Sequence, residues 1–175
     1  MTGAMTVAIS VLLVVIDQAI KFIVNERLYP IGSIDFIPGV LRFRYVENTG
    51  AAFGILQEKT IFLIVMTVIV MAIGFYILFS QKLQCKFQYI GVSLILSGGV
   101  GNLIDRIVRR YVIDYIELTF IDFAVFNFAD CLITIGAFLV IISLIKELIQ
   151  ETKSKKNQEK KDAWNVVFYH NSRVW

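Results

Sequence analysis

Charged residues are scarce in this chain. Asp, Glu, Lys and Arg make up 18% of the 175 residues, against about 25% in ordinary soluble domains. Hydrophobic residues make up 57%, with 14 Phe and 7 Tyr. This composition excludes a disordered chain, which would be rich in charge and poor in aromatic residues. It also argues against a soluble domain, because so small a domain could not bury this much apolar surface. We therefore expect a membrane protein of one domain.

Histidine and cysteine are also nearly absent, which removes several catalytic chemistries. The single histidine, His170, lies near the C-terminus, far from the other polar motifs. A Ser–His or Cys–His nucleophile and a zinc site are therefore not expected. Two cysteines are too few for a disulfide framework. The sequence contains no Gly-rich loop followed by Lys, so it does not predict a phosphate-binding loop.

Four apolar runs are each long enough to cross a bilayer core about 30 Å thick. They cover residues 5–24, 60–79, 87–104 and 123–145. The first run lacks a basic leader and ends in polar residues, so we do not expect a cleaved signal peptide. The fold class predicted is an all-α membrane protein with four transmembrane helices.

The distribution of Lys and Arg predicts the orientation. The connector 80–86 contains two lysines and no acid, and the chain after residue 145 contains seven Lys or Arg. The positive-inside rule places both termini in the cytoplasm and the loops 25–59 and 105–122 outside. We expect residues 1–148 to form the transmembrane domain and residues 149–175 a charged, solvated cytoplasmic tail.

The first outer loop has a pattern of its own. Apolar and charged residues largely alternate over residues 41–47, which is typical of a strand with one buried face. A small sheet at the membrane surface and an irregular loop are both compatible with this pattern.

Polar residues gather at the outer ends of the spans, where an ionisable group is a functional candidate. Asp17 and Lys21 are four residues apart and can form an ion pair that ties helices together. Asn102, Asp105 and Arg106 can share one face of the third helix. Asp105 and Arg106 cannot pair with each other within one helical turn, so each is expected to have a partner on another element.

Two isolated acids lie in apolar, aromatic surroundings on this same side. Asp114 lies in the outer loop, and Asp130 is near the start of the fourth span, three residues after Asn127. Two carboxylates that meet share a proton and titrate as a pair. The ionised member can activate water while the protonated member polarises a scissile carbonyl. This chemistry hydrolyses a peptide without metal or covalent intermediate.

The spacing alone leaves other functions open. A proton-coupled carrier could use Asp105, Asp114 and Asp130 as a relay, but it should have polar residues at successive depths. The inner halves of the spans are almost wholly apolar. A non-catalytic assembly subunit would tolerate Asn at both acids.

Asn48 could either line the site or cap a short helical run over residues 51–54.

Five motifs, in order, resemble those of the bacterial lipoprotein signal peptidases, which are aspartyl endopeptidases. The motifs are Asp17-Gln18-Ala19-Ile20-Lys21, Asn48-Thr49-Gly50-Ala51-Ala52-Phe53, Gly98-Gly99-Val100-Gly101-Asn102-Leu103-Ile104-Asp105-Arg106, Val112-Ile113-Asp114-Tyr115 and Phe126-Asn127-Phe128-Ala129-Asp130. The resemblance covers about residues 5–148.

The resemblance implies a catalytic pair, Asp114 and Asp130, and no cofactor or metal. It implies substrate binding by Asn48, Asn102, Asp105, Arg106 and Asn127, and structural support from Asp17 and Lys21. The implied substrates are diacylglyceryl-modified prolipoproteins, cut before the lipid-bearing cysteine at the outer face of the bacterial cytoplasmic membrane. A small extracytoplasmic sheet and sensitivity to globomycin are also implied. We expect a monomer in contact with membrane lipid, with no nucleic-acid partner.

The chain departs from the family pattern at a few positions. Ser97 and Arg110 stand where Gly is frequent, and Tyr115 replaces the commoner Phe. The interval between the two acids is short, which leaves the loop over the site undetermined.

Overall fold

A computed structural model describes the backbone of residues 3–51, 55–80, 83 and 85–171, and the side chains of residues 6–51, 55–80, 83 and 85–162. It contains four helices and three strands. The helices are α1 (Gly3–Arg27), α2 (Thr60–Phe79), α3 (Lys86–Val108) and α4 (Phe128–Asn171), and the strands are β1 (Ser33–Ile37), β2 (Leu41–Asn48) and β3 (Val112–Leu118).

All four helices are long and apolar enough to cross a membrane. Their exposed faces carry large apolar side chains, such as Val11, Ile61 and Phe138, which suits contact with lipid rather than water. The predicted class of four transmembrane helices is confirmed. α1 begins and ends slightly beyond the predicted bounds, and α3 extends to Val108.

Helix α3 lies at the centre of the bundle and contacts each of the other three helices. Small residues allow this close packing, since they let backbones approach each other. At Gly98, any side chain would collide with the backbone carbonyl oxygen of Ala129 on α4. The glycine-rich sequence in α3 therefore brings the start of α4 against the end of α3.

The fourth helix begins later than predicted. Residues 123–126 continue the apolar run in the sequence, but the backbone of Phe126 pairs with Ile116 of β3 instead of entering the helix. The helix starts at Phe128. It then continues without a break to Asn171, so the charged segment 151–162 is an exposed helix.

A three-stranded antiparallel sheet, in the order β1-β2-β3, covers one end of the bundle. Its central strand contains the alternating segment 41–47, which confirms the sheet over the irregular loop. The third strand was not predicted, so the expectation that Asp114 lies in a loop is wrong. Asp114 is in β3, opposite Val46 of β2.

Two connections near the sheet contain a residue with a positive φ angle. Gly39, in the turn between β1 and β2, has a φ of 74°, which glycine adopts without strain. Arg110, between α3 and β3, has a φ of 73°. Glycine adopts this left-handed conformation without strain, whereas arginine does so at an energetic cost. The predicted helical run 51–54 falls mostly on residues 52–54, outside the described residues.

Candidate active site

The candidate residues converge where the sheet meets the bundle. Both acids line one cavity of about 510 Å³, Asp114 from β3 and Asp130 from the first turn of α4. Asn48, at the end of β2, and Asn102 and Arg106, near the end of α3, line the same cavity. Four separate elements thus form a single polar cluster.

The strand β3 presents Asp114 to the cavity by simple alternation. Side chains along a strand point to opposite faces in turn. Val112 and Asp114 line the cavity. Ile113 and Tyr115 point the other way and pack in a buried apolar cluster with Leu28 of α1. The packing of these neighbours holds Asp114 in its orientation.

The carboxylate of Asp114 is held by two asparagine amides. Oδ1 accepts a hydrogen bond from Nδ2 of Asn127 at 2.6 Å, and Oδ2 accepts one from Nδ2 of Asn48 at 2.8 Å. The residue is only 2% exposed. Asn48 also accepts the backbone N–H of Gly50 at 2.9 Å, which fixes the direction of its amide.

The carboxylate of Asp130 is held by a similar pair of donors. Oδ1 accepts Nδ2 of Asn102 at 2.8 Å, and Oδ2 accepts the backbone N–H of Asn127 at 3.1 Å. Oδ1 of Asn127 in turn accepts the backbone N–H of Asp130 at 3.0 Å. These reciprocal bonds cap the start of α4. Asn127 therefore contacts both acids.

The electrostatic surroundings raise the pKa of Asp114 to about 7, through burial first and the nearby charge of Asp130 second. The hydrogen bonds from Asn48 and Asn127 and the charge of Lys21 oppose this rise. Among the described side chains, neither Asp114 nor Asp130 forms an ion pair. The two carboxylates thus interact with amides and with each other.

A second group of charged residues is buried directly behind the cavity. Nζ of Lys21 lies 3.0 Å from Asp17 and 3.0 Å from Asp105. The side chains of all three residues are fully buried. Arg109 also contacts Asp105, at 2.6 Å. The predicted contact between Asp17 and Lys21 is present, and Asp105 has the expected partner on another helix.

Arg106 has a different position from Arg109, which directly follows α3. Its guanidinium donates a hydrogen bond to the backbone carbonyl of Gly50 at 3.2 Å. It also attracts Asp114 and Asp130 electrostatically from the cavity wall. Its expected partner on another element is therefore a backbone carbonyl, and its charge is directed toward the acid pair.

Two residues expected to bind substrate do not line the cavity. Asn127 and Asp105 are fully buried, and both lie behind the residues that do line it. Their side-chain atoms form hydrogen bonds or ion pairs with neighbouring groups, and their role in substrate binding stays a prediction.

Sequence reasoning missed two contributors. Arg109 is four residues after Asp105, a spacing that signals an ion pair on one helix face. The hydroxyl of Tyr115 accepts the backbone N–H of Phe128 at 3.2 Å and so helps to cap α4. A phenylalanine at this position would have no atom that could do so.

The remainder of the cavity wall is apolar. It is formed by the loop before α4 and by one face of that helix, including Phe123, Val125, Phe126, Ile133 and Ile135. Cys131 also lines this wall. Over residues 6–51, 55–80, 83 and 85–162, no group of three or more His, Cys, Asp or Glu side chains could hold a metal ion.

Comparisons with known proteins show what the chain is similar to. A family model described as signal peptidase (SPase) II matches residues 9–146. A lipoprotein signal peptidase of Streptococcus pyogenes serotype M5 (strain Manfredo) is 43% identical over 138 residues, which cover 78% of this chain and 90% of that protein. The lipoprotein signal peptidase of Streptococcus pyogenes serotype M3 (strain SSI-1) is 42% identical over 138 residues, which also cover 78% of this chain and 90% of that protein.

Two solved structures, each described as a bacterial membrane enzyme determined by the in meso method, have similar folds. The first has a TM-score of 0.76 and 36% sequence identity, and the matched region covers 83% of this chain and 90% of the solved chain. The other has a TM-score of 0.73 and 36% identity, and covers 82% of this chain and 94% of its own.

Proposed function

Because this chain belongs to the signal peptidase II family, we propose that Asp114 and Asp130 together cleave the signal peptide from lipid-modified prolipoproteins, just before the diacylglyceryl-cysteine. The coarser function follows from the family: the chain is a multi-pass membrane peptidase that acts on lipoprotein signal peptides. The residues that act and the bond that is cut are the parts proposed.

One observation carries the proposal. Asp114 and Asp130 reach the same cavity from two different elements, and among the described residues neither is neutralised by a cation within ion-pairing distance. Two such carboxylates share one proton, because both cannot easily be ionised in a buried site. A shared proton provides a general acid and a general base in one place.

The roles of the two acids follow from their surroundings. Asp114, whose pKa is raised to about 7, holds the shared proton. Asp130 then serves as the general base, with its oxygens held by an amide N–H of Asn102 and a backbone N–H of Asn127.

The reaction then proceeds by attack of water. Asp130 takes a proton from the water as its oxygen attacks the scissile carbonyl carbon, while Asp114 gives its proton to the carbonyl oxygen. A neutral tetrahedral diol results. Asp130 then gives its proton to the leaving nitrogen as the C–N bond breaks, and Asp114 recovers a proton from the diol hydroxyl. Every proton is returned, and no metal or covalent intermediate is required.

The cavity lining suits an extended peptide with an apolar neighbour. The side-chain amides of Asn48 and Asn102 and the guanidinium of Arg106 line the polar part of the cavity, where they can bind backbone carbonyls near the scissile bond. The apolar wall of Phe123, Ile133 and related residues would receive the signal helix or acyl chains from the membrane.

The proposed orientation follows from the positive-inside rule. The basic connector 80–86 and the basic end of α4 lie in the cytoplasm, so the sheet and the cavity face the extracytoplasmic side. Lipid modification confines the substrate to the same membrane plane and raises its effective concentration at the cavity.

The test is cleavage of a diacylated prolipoprotein peptide by purified protein in detergent. Asp114→Asn and Asp130→Asn each remove one proton-transfer group, for which a loss of at least about 100-fold is expected. Asp122→Asn is the matched control, since it makes the same change at an exposed acid between the two, and it should retain wild-type activity.

Mass analysis of the products locates the cut bond. Cleavage by wild type only, before the lipid-bearing cysteine and unchanged by EDTA, would support the proposal. A double Asn variant that still cleaves would exclude the acid pair, and loss of activity in EDTA that returns with added metal would exclude the metal-independent reaction.

A further inference from the structure

The buried charged residues behind the cavity are connected through one ammonium group. Nζ of Lys21 contacts Asp17 and Asp105 at 3.0 Å each. It also donates a hydrogen bond to Oδ1 of Asn102 at 2.9 Å. Nδ2 of the same asparagine contacts Asp130. Lys21 therefore determines which end of the Asn102 amide faces the acid pair.

The carboxylate of Asp17 extends from Lys21 to the backbone next to Asp130. One oxygen contacts Lys21, and the other accepts the backbone N–H of Ala129 at 3.1 Å. Ala129 directly precedes Asp130. This approach depends on Gly101 of α3, where a Cβ atom would lie 2.5 Å from the carboxylate of Asp17.

The carboxylate of Asp105 makes the corresponding contact next to Asp114. Its Oδ2 contacts Lys21 and also accepts the backbone N–H of Ile113 at 3.3 Å. Ile113 directly precedes Asp114 and is itself fully buried. The two carboxylates thus hold the backbone one residue before each reacting acid, and Lys21 bridges them.

We propose that Asp17, Lys21 and Asp105 are positioning residues that set the separation of Asp114 and Asp130. This inference rests on the proposed function of the acid pair. The three residues do not line the cavity, so they are not catalytic residues. A cluster that only ties helices together would need contacts between helices, but not these two backbone contacts beside the acids.

The separation matters because it sets how strongly the two acids share their proton. The reaction needs the singly protonated pair, so a plot of kcat against pH is bell-shaped. Its two limbs lie at two apparent pKa values that belong to the pair, and their difference is the width of the bell. A larger separation weakens the repulsion between the two charges and narrows the bell. The other titratable or charged groups that interact with one or both acids are Lys21, Arg106, Tyr115 and Cys131. Asp17 and Asp105 contact Lys21 directly.

The first test variant is Asp17→Asn. A carboxylate can accept from Lys21 and Ala129 with separate oxygens, whereas an amide has one acceptor oxygen and an NH₂ group that faces a donor. The variant must therefore release one of the two contacts. We expect kcat to fall between about tenfold and 100-fold, because displacements near 1 Å can cost that much. KM should change much less.

The second variant, Asp105→Glu, keeps the charge of the cluster and lengthens the contact to Ile113 by one methylene. It should also lower kcat and narrow the pH profile. The matched control is Leu96→Ala, which removes a buried side chain from α3 without touching the cluster. It should lower the melting temperature in detergent but keep the width of the wild-type bell.

The inference would be overturned by a bell of wild-type width in both cluster variants, or by an equal narrowing in Leu96→Ala. Failure of both cluster variants to fold would also overturn it, since the cluster would then serve folding itself. Asp114→Asn and Asp130→Asn separate this result from the proposed function. If either retains cleavage, the proposed function fails; if both are inactive, only the positioning role is at issue.

Discussion

Four buried or partly buried aspartates lie in two neighbouring groups, and the groups differ in what surrounds them. Asp17 and Asp105 each lie 3.0 Å from the ammonium of Lys21. Asp114 and Asp130 accept hydrogen bonds from asparagine side chains or backbone N–H groups. A cation in contact stabilises the charged carboxylate, whereas neutral donors leave two acids to compete for one proton.

The comparison shows how one side-chain type serves two purposes at the same end of the bundle. The first pair is neutralised and holds backbone in place. The second pair remains available for proton transfer because its charge is not neutralised at contact distance. Arg106, the cation on the cavity wall, donates its hydrogen bond to a backbone carbonyl and not to either acid.

The largest expected effect comes from removing the cation of the first pair. Lys21→Met leaves Asp17 with no ion-pair partner in the described part of the chain, whereas Asp105 retains Arg109. Loss of one partner of a buried ion pair costs about 3–5 kcal/mol. Thermal unfolding in detergent should show a much lower melting temperature, or little folded protein.

A second substitution sharpens this result. The double variant Lys21→Met, Asp17→Asn removes both members of the Lys21–Asp17 ion pair and should recover part of the stability lost in Lys21→Met. Lys59→Met, at an exposed lysine, is the control and should unfold like wild type. An unchanged melting temperature for Lys21→Met would mean that the first pair is not held by its cation.

A smaller effect concerns the proton on Asp114. The folded chain keeps this proton up to about pH 7, whereas an unfolded chain releases it near pH 4. Wild type therefore loses stability as the pH rises through this window. Asp114→Asn removes the effect, so its melting temperature should rise relative to wild type as the pH increases from about 4 to about 7.

The full change in this difference is on the order of 1–4 kcal/mol. Asp122→Asn should show no such trend, because that acid is exposed. A difference between Asp114→Asn and wild type that is constant with pH would show that folding does not raise the pKa of Asp114.

The smallest effect is expected at an ion pair on the sheet surface. Asp35 lies 2.7 Å from Arg42, but the two side chains are 54% and 39% exposed. Exposed pairs contribute little, since water screens the charges. Asp35→Ala should therefore leave the melting temperature and kcat unchanged within error, and a clear loss of either would show that contact distance alone decides what an ion pair contributes.

Much of the site could be predicted from local spacing. Asp17 and Lys21 are one helical turn apart, and their contact follows from that spacing. Asp114 and Asp130 were recognisable as acids isolated among apolar residues, and the structure places both on one cavity. The resemblance to lipoprotein signal peptidases is confirmed by the family match and by the identity with known relatives.

Other features could not be predicted because they depend on tertiary contacts. β3 is buried on both faces over residues 112–115, so it lacks the alternation that marked β2. The apolar residues before Phe128 read as part of the fourth helix, but pairing of Phe126 with Ile116 keeps them extended. That Asn127 lies behind the cavity depends on a hydrogen-bond network across two elements.

The alternation along β3 has a consequence for how this segment can vary between generations. Val112 and Asp114 face the cavity, while Ile113 and Tyr115 face the apolar cluster. Loss or gain of a single codon there would exchange the two faces, and a hydrophobic side chain would then replace the acid. Homologues that keep the acid at the cavity can therefore differ from this chain by apolar substitutions in β3, but not by the insertion or deletion of one residue.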